Sequence, residues 1–398
     1  MSINRHAVLF CLALLFLGCI APDGHRTAYA QDPTRLTDLT GQWETPRRDL
    51  LWNFDNLYNA NVLYFPGREY PYLMWLFGWS AEDGNPAYPG ADAIFHARSK
   101  DMLIWEVYSG NGTWDKTMDP SLWVPVLCAG TAPYDNVHNG DPSVVAKDGH
   151  YYMAFSSVGF DTVHKTDGDH TYVISCVMGA TSDDGIHWQK TSAPILIWDQ
   201  EYTNRWEILN GQIPPAPRGY YGSYLRPCLM WDNGRWKIWF DYMLTGTFVS
   251  LGYAENQNAF MNPADWTVLR ANTYPALHDW PNNCVVRVGS TYYSFADPPG
   301  YSAEYGGDGR LITMAKSING WDWQILGHIS PDGLDCSNVP EALVLHTEGR
   351  TWLYVYYAWR KNTAAGATPD FSYKKIRYMR LPLSDRTMVD PDNWRLLP

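Results

Sequence analysis

Short runs of aromatic and β-branched residues, broken by Gly, Pro, Asn and Asp, recur along the 398-residue chain and predict β-strands. The segment HNGDPSVVAKDGHYYMAF (138–155) has an apolar strand, an Asp-Gly turn and an aromatic strand, which together predict a hairpin. Similar strand pairs occur five times. Their first strands are 61–65, 143–147, 228–232, 284–288 and 342–346, and their second strands are 72–79, 151–157, 236–242, 292–297 and 352–359.

The second strands carry aromatic residues at alternate positions, which suits a sheet that is buried on both faces. A third predicted strand follows each pair. These third strands read AIFHARS, VMGATS, LGYAE, LITMAKS and IRYMRL. Each unit therefore supplies at least three short strands in sequence.

A spaced motif follows several of the third strands: a Ser, then Asp or Asn two residues later, then Trp six residues after the Ser. The Asx side chain can cap a turn, and the Trp would begin a fourth strand and fill the gap between neighbouring sheets. The copies are Ser99–Asp101–Trp105, Ser182–Asp184–Trp188 and Ser317–Asn319–Trp323. The third unit keeps only Asp265-Trp266, and the fifth is predicted to end at Asn393-Trp394.

Repeated units of roughly 55–85 residues, each with four antiparallel strands, are typical of β-propeller blades. The sequence therefore predicts an all-β fold: a five-bladed β-propeller with four-stranded antiparallel blades around a central funnel. The alternative is a β-sandwich with coincidental spacing, which the repeated Ser/Asx/Trp motif disfavours.

Composition narrows the functional classes. Apolar residues make up 45% of the chain and charged residues only 18%, which excludes a disordered or coiled-coil protein. The formal net charge of −12, without a run of Lys or Arg, argues against nucleic acid as a partner. The 20 Trp and 27 Tyr can fill a core, and such rings also stack on sugars.

The N-terminus resembles an export signal. Residues 1–30 contain a short polar start, the apolar run AVLFCLALLFLGCIA and a small-x-small site at Ala28-Tyr29-Ala30. An alternative is a lipoprotein signal with Cys19 as the lipidated residue. No transmembrane segment is expected after residue 31. We expect residues 31–398 to form a single propeller domain, exported to the periplasm or the cell exterior.

Cleavage after Ala30 would leave an odd number of cysteines, with no CxxC or Cys/His zinc spacing. One disulfide is conceivable, but a disulfide framework is not. The five cysteines are Cys128, Cys176, Cys228, Cys284 and Cys336. A propeller channel can hold a cation such as calcium, but no motif here indicates a metal site, and no cofactor is expected.

The first strand of each blade lines the channel of a propeller, so the residues just before these strands should converge on the axis. Aligning the first strands on Val62, Val144, Leu229, Val285 and Val344 places a polar residue at the position three before in every blade. These residues are Asn59, Asp141, Arg226, Asn282 and Glu341. Further polar residues are expected near the axis: Asp55, His138, His278, Asp279, Asp241 and Asp297.

Two acids and an arginine at one funnel suit glycoside cleavage. This reaction needs one protonated carboxyl for the leaving oxygen and one carboxylate that activates water or attacks carbon. Arg226 can keep a carboxylate ionised or bind a substrate carboxylate, as in a uronic acid. Any one of these polar residues could instead be an ordinary turn or loop residue.

The run GDPSVVAKDGHYYMAFSS (140–157) resembles the opening blade motif of five-bladed glycoside hydrolases of family 43, which has relatives in families 32, 62, 117 and 130. Ser-x-Asp-Gly-x-x-Trp at 182–188 is also frequent in these propellers. The resemblance covers most of residues 50–398 as architecture, but only short motifs as sequence. It implies that Asp141 is the general base and Glu341 the general acid, and that Asp279 or Asp55 tunes the pKa of the acid.

The sequence departs from family 43 in two ways. The Asp-Pro motif opens the first blade in the family and the second blade here. The family's Glu lies two blades after that Asp, where this chain has Asn282 with His278 and Asp279 nearby, whereas Glu341 lies three blades on. Because family 117 uses a His as its acid, His278 or His138 is an alternative acid.

We therefore expect a secreted hydrolase that cleaves poly- or oligosaccharides by paired carboxylates, with inversion. Asn59, Asn282, Asp55, His138, His278 and Arg226 are the expected substrate-binding residues. One alternative is a non-catalytic glycan-binding propeller. Another is a glycoside phosphorylase of the same fold, which would need more cations than Arg226, such as Arg205 or Arg218. A six-bladed sialidase is disfavoured, because its motif is one residue longer and the blade count differs.

Overall fold

The structure, a computed structural model, describes residues 36–79, 93–161, 172–197, 223–243, 249–270, 280–298, 310–347, 349–362 and 375–383. Within these ranges the only helical segments are three single 3₁₀ turns, at Thr40–Gln42, Pro120–Leu122 and Pro263–Asp265. The predicted all-β class is confirmed.

The described residues form 22 strands. In chain order these are β1 (Asn56–Tyr64), β2 (Tyr72–Trp79), β3 (Ala93–Ser99), β4 (Trp105–Tyr108), β5 (Trp114–Asp115), β6 (Leu127–Cys128), β7 (His138–Lys147), β8 (His150–Asp161), β9 (Tyr172–Ser182), β10 (Gln189–Lys190), β11 (Leu196–Ile197), β12 (Ser223–Asp232), β13 (Arg235–Met243), β14 (Val249–Asn256), β15 (Thr267–Arg270), β16 (Cys284–Val288), β17 (Thr291–Ala296), β18 (Ile312–Ser317), β19 (Gln324–Ile329), β20 (Cys336–Thr347), β21 (Arg350–Arg360) and β22 (Lys375–Leu383).

These strands form five separate antiparallel sheets. The sheets follow the orders β1-β2-β3-β4-β5, β7-β8-β9-β10, β12-β13-β14-β15, β16-β17-β18-β19 and β20-β21-β22, with β6 paired to β3 and β11 paired to β9. The first strands of the sheets contact one another in a closed cycle: β1, β7, β12, β16, β20 and back to β1. The fold is thus the predicted five-bladed β-propeller, and we number the blades 1 to 5 in chain order.

The apolar core consists of five clusters, one at each interface between neighbouring blades. The alternating aromatic pattern of the second strands produces this arrangement. On β13, Trp236, Ile238 and Phe240 pack towards blade 2, whereas Trp239 packs towards blade 4. Successive side chains of a strand point to opposite faces, so each sheet contributes to two clusters.

The hairpin predicted at 138–155 is present, with β7 paired to β8 and the turn at Asp148-Gly149. Both turn residues have positive φ, +52° and +84°, as a two-residue turn between right-twisted strands requires. Gly149 accepts this conformation without strain, and open space surrounds the position where a Cβ would lie.

The Ser/Asx/Trp motif forms the predicted capped turn. In blade 2, Ser182 Oγ accepts from the Gly185 N–H at 2.9 Å, and Asp184 Oδ1 accepts from the N–H groups of Ile186 and His187 at 2.8 Å each. The copies at Ser99 and Ser317 repeat these hydrogen bonds. The turn also joins two blades, because the indole of Trp75 in blade 1 donates to the Gly185 carbonyl at 2.9 Å.

An N-terminal segment supplies the outer strand of blade 5. Glu44 exchanges two backbone hydrogen bonds with Arg380, and Leu50 and Leu51 pair with Ile376 in the same way. The expected outer strand near Asn393-Trp394 lies outside the described residues, but the edge of β22 that it would need is occupied by residues 44–51. The ring is therefore closed by the beginning of the described chain pairing with its end.

Candidate active site

Four of the five first strands contain a β-bulge at the axis, marked by a shift in strand register. One residue per blade has positive φ there, including blade 4, where this residue comes just before β16. We call these residues the bulge ring: Asn59 (+44°), Asp141 (+49°), Arg226 (+48°), Asn282 (+56°) and Val339 (+49°). All five are buried. The predicted convergence of Asn59, Asp141, Arg226 and Asn282 at equivalent positions is thus seen.

The predicted position of Glu341 is wrong by two residues. Val339 occupies the bulge ring in blade 5, so the expectation of a polar residue in every blade is wrong as well. Glu341 is instead the first paired residue after the bulge. A shift of two residues leaves a side chain on the same face of a strand, so the hydrophobic pattern that set the alignment could not reveal the error.

The residues two positions after the bulge ring form a second ring, the clamp ring: Asn61, Ser143, Cys228, Cys284 and Glu341. In four blades the side chain accepts a hydrogen bond from a backbone N–H of another blade. Asn61 Oδ1 accepts from Val144 (3.1 Å), Ser143 Oγ from Leu229 (2.8 Å), Cys228 Sγ from Val285 (3.0 Å) and Cys284 Sγ from Ala342 (3.1 Å). These bonds join each blade to the next along the chain.

Glu341 departs from this pattern. Its Oε1 accepts from the side-chain amide of Asn59 in the bulge ring at 2.9 Å, and its Oε2 accepts from the amide of Asn61 in the clamp ring at 3.5 Å. The carboxyl group therefore lies between the two rings. Val339, the bulge residue of its own blade, belongs to the apolar cluster between blades 5 and 1.

Burial raises the pKa of Glu341 to about 8, and the negative charge of Asp141 acts in the same direction. The hydrogen bonds from Asn61, Cys284 and Asn59 favour the carboxylate and only partly offset the burial. Glu341 therefore holds a proton at neutral pH.

Asp141 has different surroundings. Among the residues that the structure describes, no donor hydrogen bonds to its carboxylate, and the residue is 8% exposed. The guanidinium of Arg226 lies close enough to interact electrostatically with it, and so does Glu341. The two acids thus differ in hydrogen bonding and in charge environment.

Arg226 pairs with Asp241, a residue of β13, at 3.0 Å. Burial opposes the charge of Arg226, but the carboxylates of Asp241 and Asp141 outweigh this effect and raise its pKa. Asp241 also accepts from the Asn282 N–H and the Asn283 side chain, at 2.8 Å each. The guanidinium is therefore part of a fixed network rather than a mobile anion-binding arm.

Second-strand residues hold three members of the bulge ring. The N–H of Arg226 donates to Ser156 Oγ at 2.7 Å, that of Asn282 to Asp241 Oδ2 at 2.8 Å, and that of Val339 to Asp297 Oδ2 at 2.9 Å. Burial raises the pKa of Asp297 to about 6, although Arg310 opposes this shift. Asp241 and Asp297, expected near the axis, are thus supports for the ring.

Two amide oxygens at the axis have fixed orientations. The nitrogen of Asn59 donates to Glu341, and that of Asn282 donates to Asp297 at 2.6 Å. Each amide oxygen must then point the other way. Both oxygens are buried and accept no hydrogen bond from the described part of the chain. Each is therefore an acceptor whose hydrogen-bonding capacity the described residues leave unused.

The remaining predicted site residues have mixed outcomes. Asp55 lies directly before β1 and is half-buried. His138 begins β7 and packs edge-on against Phe77, with ring centroids 5.0 Å apart. His278 and Asp279 lie outside the described residues.

The sequence reasoning missed Asn61, Cys284 and Ser156. The first two could have been found, because the residue two after each bulge is polar or Cys in the first four blades.

No disulfide joins any two of the five described cysteines, of which Cys128 is exposed and the other four are buried. Within the described ranges, no group of three or more His, Cys, Asp or Glu side chains is arranged to hold a metal ion. In the same ranges, no helix is long and apolar enough to cross a membrane.

No protein-family model and no curated protein matches the chain. Solved structures do, and one of them is BT0996 in its RGII complex, 14% identical with a TM-score of 0.53, covering 86% of this chain and 92% of that protein. The chain shares the fold of glycoside hydrolases. Zg3597, a family 117 glycoside hydrolase from Zobellia galactanivorans, is 13% identical with a TM-score of 0.51, covering 87% and 91%. Sucrose-6-phosphate hydrolase from Lactobacillus gasseri is 14% identical with a TM-score of 0.52, covering 96% and 66%.

Structural matches at such low sequence identity establish a likeness of fold and no more. The predicted resemblance to five-bladed glycoside hydrolases is confirmed at that level.

Proposed function

We propose that the protein is a glycoside hydrolase in which Glu341 is the proton donor and Asp141 is the carboxylate. One observation carries the proposal: the two acids interact at the axis, yet two amides hold Glu341, whose pKa burial raises to about 8, while Asp141 lies beside the guanidinium of Arg226. Two carboxyl groups in different environments can divide the roles of acid and base. No cofactor is needed for this chemistry.

In the proposed reaction, Glu341 gives its proton to the glycosidic oxygen as the bond from that oxygen to the anomeric carbon breaks. Asp141 takes a proton from a water molecule whose oxygen bonds to the anomeric carbon. Inversion of the anomeric centre is the outcome that we propose. Proton NMR of the first-formed product tests it, because inversion and retention give opposite anomers.

The acceptors at the axis favour a neutral sugar. Three acceptors there receive no hydrogen bond from the described residues: Asn59 Oδ1, Asn282 Oδ1 and the Asp141 carboxylate. The hydroxyl groups of a sugar are hydrogen-bond donors. A uronic acid would place a second negative charge among these oxygens, and Arg226 is already paired with Asp241. We therefore propose neutral poly- or oligosaccharides as substrates, rather than the uronic acid that Arg226 alone suggested.

The decisive experiment measures release of reducing sugar by residues 31–398 on a panel of neutral and acidic oligosaccharides. Asp141→Asn and Glu341→Gln are compared with Asp148→Asn and Glu69→Gln, which are isosteric changes at exposed sites. General acid–base groups typically contribute 10²–10⁴-fold, so we expect losses of about 10³-fold in the first two variants and none in the controls.

Other results would contradict the proposal. Hydrolysis by both axis variants at the wild-type rate would exclude these acids. Cleavage that requires phosphate and yields a sugar phosphate would identify a phosphorylase. Glycan binding without cleavage of any substrate, unchanged in both variants, would favour a binding propeller.

Export remains a proposal from residues 1–30, with lipid attachment at Cys19 as the alternative. N-terminal sequencing of the mature protein tests it. A terminus at Gln31 supports cleavage after Ala30, and a lipidated Cys19 contradicts it.

A further inference from the structure

Cys284 is the clamp-ring residue that contacts Glu341. Its sulfur accepts from the N–H of Ala342, the residue directly after Glu341, at 3.1 Å. Its side chain also lies within hydrogen-bonding reach of the Glu341 carboxyl group. The sulfur of Cys284 in blade 4 therefore contacts both the backbone N–H that follows the proposed acid and the carboxyl group of that acid.

The thiol has a hydrogen to donate. Contact with Cys228 and burial raise the pKa of Cys284 well above its usual range, so the group stays a thiol. Cys228 directs its own S–H to the Val285 carbonyl at 3.3 Å. The carboxyl of Glu341 is an acceptor next to Cys284, and a thiol hydrogen bond to it favours its ionised form.

We propose that Cys284 is a positioning residue for Glu341, which it holds through the following backbone N–H and through a thiol hydrogen bond to the carboxyl group. This inference rests on the proposed function for its kinetic test only. In place of the third acid that the resemblance implied, Asp279 or Asp55, the described groups on the carboxyl are two amides and a thiol.

Among the residues that the structure describes, few titratable groups face Glu341. Blade 1 presents only the amides of Asn59 and Asn61, blade 2 presents Asp141, and blade 4 presents Cys284 with Cys228 of blade 3 behind it. The next charged groups are paired with each other: Arg226 with Asp241, and Arg310 with Asp297. A change at Cys284 should therefore act on Glu341 directly.

Two substitutions of Cys284 should shift the pKa of Glu341 in opposite directions. Cys284→Ala removes a donor that favours the carboxylate, so the pKa of Glu341 should rise by about half a unit. Cys284→Ser replaces a weak donor with a hydroxyl, so the pKa should fall. Serine fits a clamp-ring position, since Ser143 makes the same inter-blade bond in blade 2 at 2.8 Å. A purely structural role would move both variants alike.

The pKa of Glu341 is read in two ways. Infrared difference titration, wild type minus Glu341→Gln, reports the carboxyl group without substrate. The basic limb of kcat/KM against pH reports the pKa of the essential acid in the free enzyme. Ser143→Ala is the matched control, because Ser143 makes the same inter-blade clamp in blade 2 and no described contact joins it to Cys284 or Glu341.

A rise in Cys284→Ala and a fall in Cys284→Ser, with the control unmoved, is the expected result. An unchanged infrared pKa in either variant overturns the inference. If Cys284→Ala does not fold, Cys284→Ser alone decides, since an equal or higher pKa contradicts a donating thiol. Absence of hydrolysis by the wild type would defeat the proposed function and leave the infrared result to judge Cys284.

Discussion

Backbone conformation at single residues determines which side chains meet at the axis. Positive φ is costly for most residues but tolerated by Asn and Asp. The bulge residues of blades 1 and 2 are Asn59 and Asp141, and no described second-strand side chain holds their N–H groups. Arg226 and Val339 tolerate positive φ less well, and Ser156 and Asp297 fix their N–H groups. Strained conformations persist where the surroundings determine them in this way.

The position of Asp141 could be predicted from the sequence because Asp-Pro precedes a clear apolar strand. The position of Glu341 could not, since a two-residue shift preserves the strand pattern. The neighbours of its carboxyl group could not be predicted from the sequence either. Asn59 and Asn61 are about 280 residues away in the chain, and only the closed ring brings them to Glu341.

The roles of the two acids predict different responses to the leaving group. Glu341→Gln should lose about 10³-fold on natural glycosides, whose leaving oxygen needs a proton. It should keep most activity on aryl glycosides with an acidic phenol, which can leave unprotonated. Asp141→Asn should lose activity on both substrate types, because water still needs a base. Steady-state rates on a series of substituted phenyl glycosides provide the measurement.

The mutant series also separates Glu341 from a merely structural acid. If Glu341→Gln lost activity equally on good and poor leaving groups, Glu341 would not be the proton donor. His138 and His278 would then be the next residues to substitute.

At the scale of elements, the capped Ser/Asx/Trp turns connect neighbouring blades through hydrogen bonds from buried indoles. The predicted strands and hairpins are present because each blade repeats the same alternation and the same turn residues. The segment at 44–51 was not predicted as a strand, because it has no clear alternation and pairs with residues more than 300 positions later. Local patterns specify single blades better than they specify ring closure.

Gly185 tests the inter-blade role of the capped turn. Its φ is +79°, and a Cβ would lie 2.7 Å from the buried ring of Trp75. Gly185→Ala should therefore lower the free energy of unfolding by about 2–4 kcal/mol, from backbone strain plus overpacking. Gly149→Ala is the matched control: its φ is +84°, but a Cβ there meets nothing within 4 Å. This variant should lose only about 1 kcal/mol.

Urea unfolding followed by tryptophan fluorescence measures both variants. Equal losses would show that the turn strains the backbone alone and that the contact with Trp75 is easily relaxed.

At the scale of the whole molecule, the two ends of the described chain share blade 5. The segment 44–51 pairs with β22, and Asp49 forms ion pairs with Lys375 and Arg377 at 2.6 Å each. Asp38 also bridges to His328 in blade 4. The axis site needs all five blades in place, because Glu341 in blade 5 is held from blades 1 and 4. The site is therefore complete only in the closed ring.

The raised pKa of Glu341 predicts how the stability of the fold depends on pH. The pKa of Glu341 is about 8 in the folded protein and near 4.5 when unfolded, so the folded state retains a proton that the unfolded state loses. The contribution of Glu341 is fully present below pH 4.5 and is lost as pH rises through 8. Asp297, with a pKa of about 6, behaves similarly but has lost its contribution above pH 6. Of these two groups, only Glu341 therefore still loses its proton in the folded protein between pH 6.5 and 8.

Over that interval, the free energy of unfolding of the wild type should fall by about 2 kcal/mol relative to Glu341→Gln, which cannot titrate. Chemical denaturation of both proteins at several pH values from 6.5 to 9 measures the difference, and Glu69→Gln at an exposed site controls for general charge effects. Parallel pH curves for wild type and Glu341→Gln would mean that Glu341 is ionised throughout. In that case the pKa of Glu341 would lie below 6.5, and burial would not keep the carboxyl group protonated at neutral pH as the proposed proton donor requires.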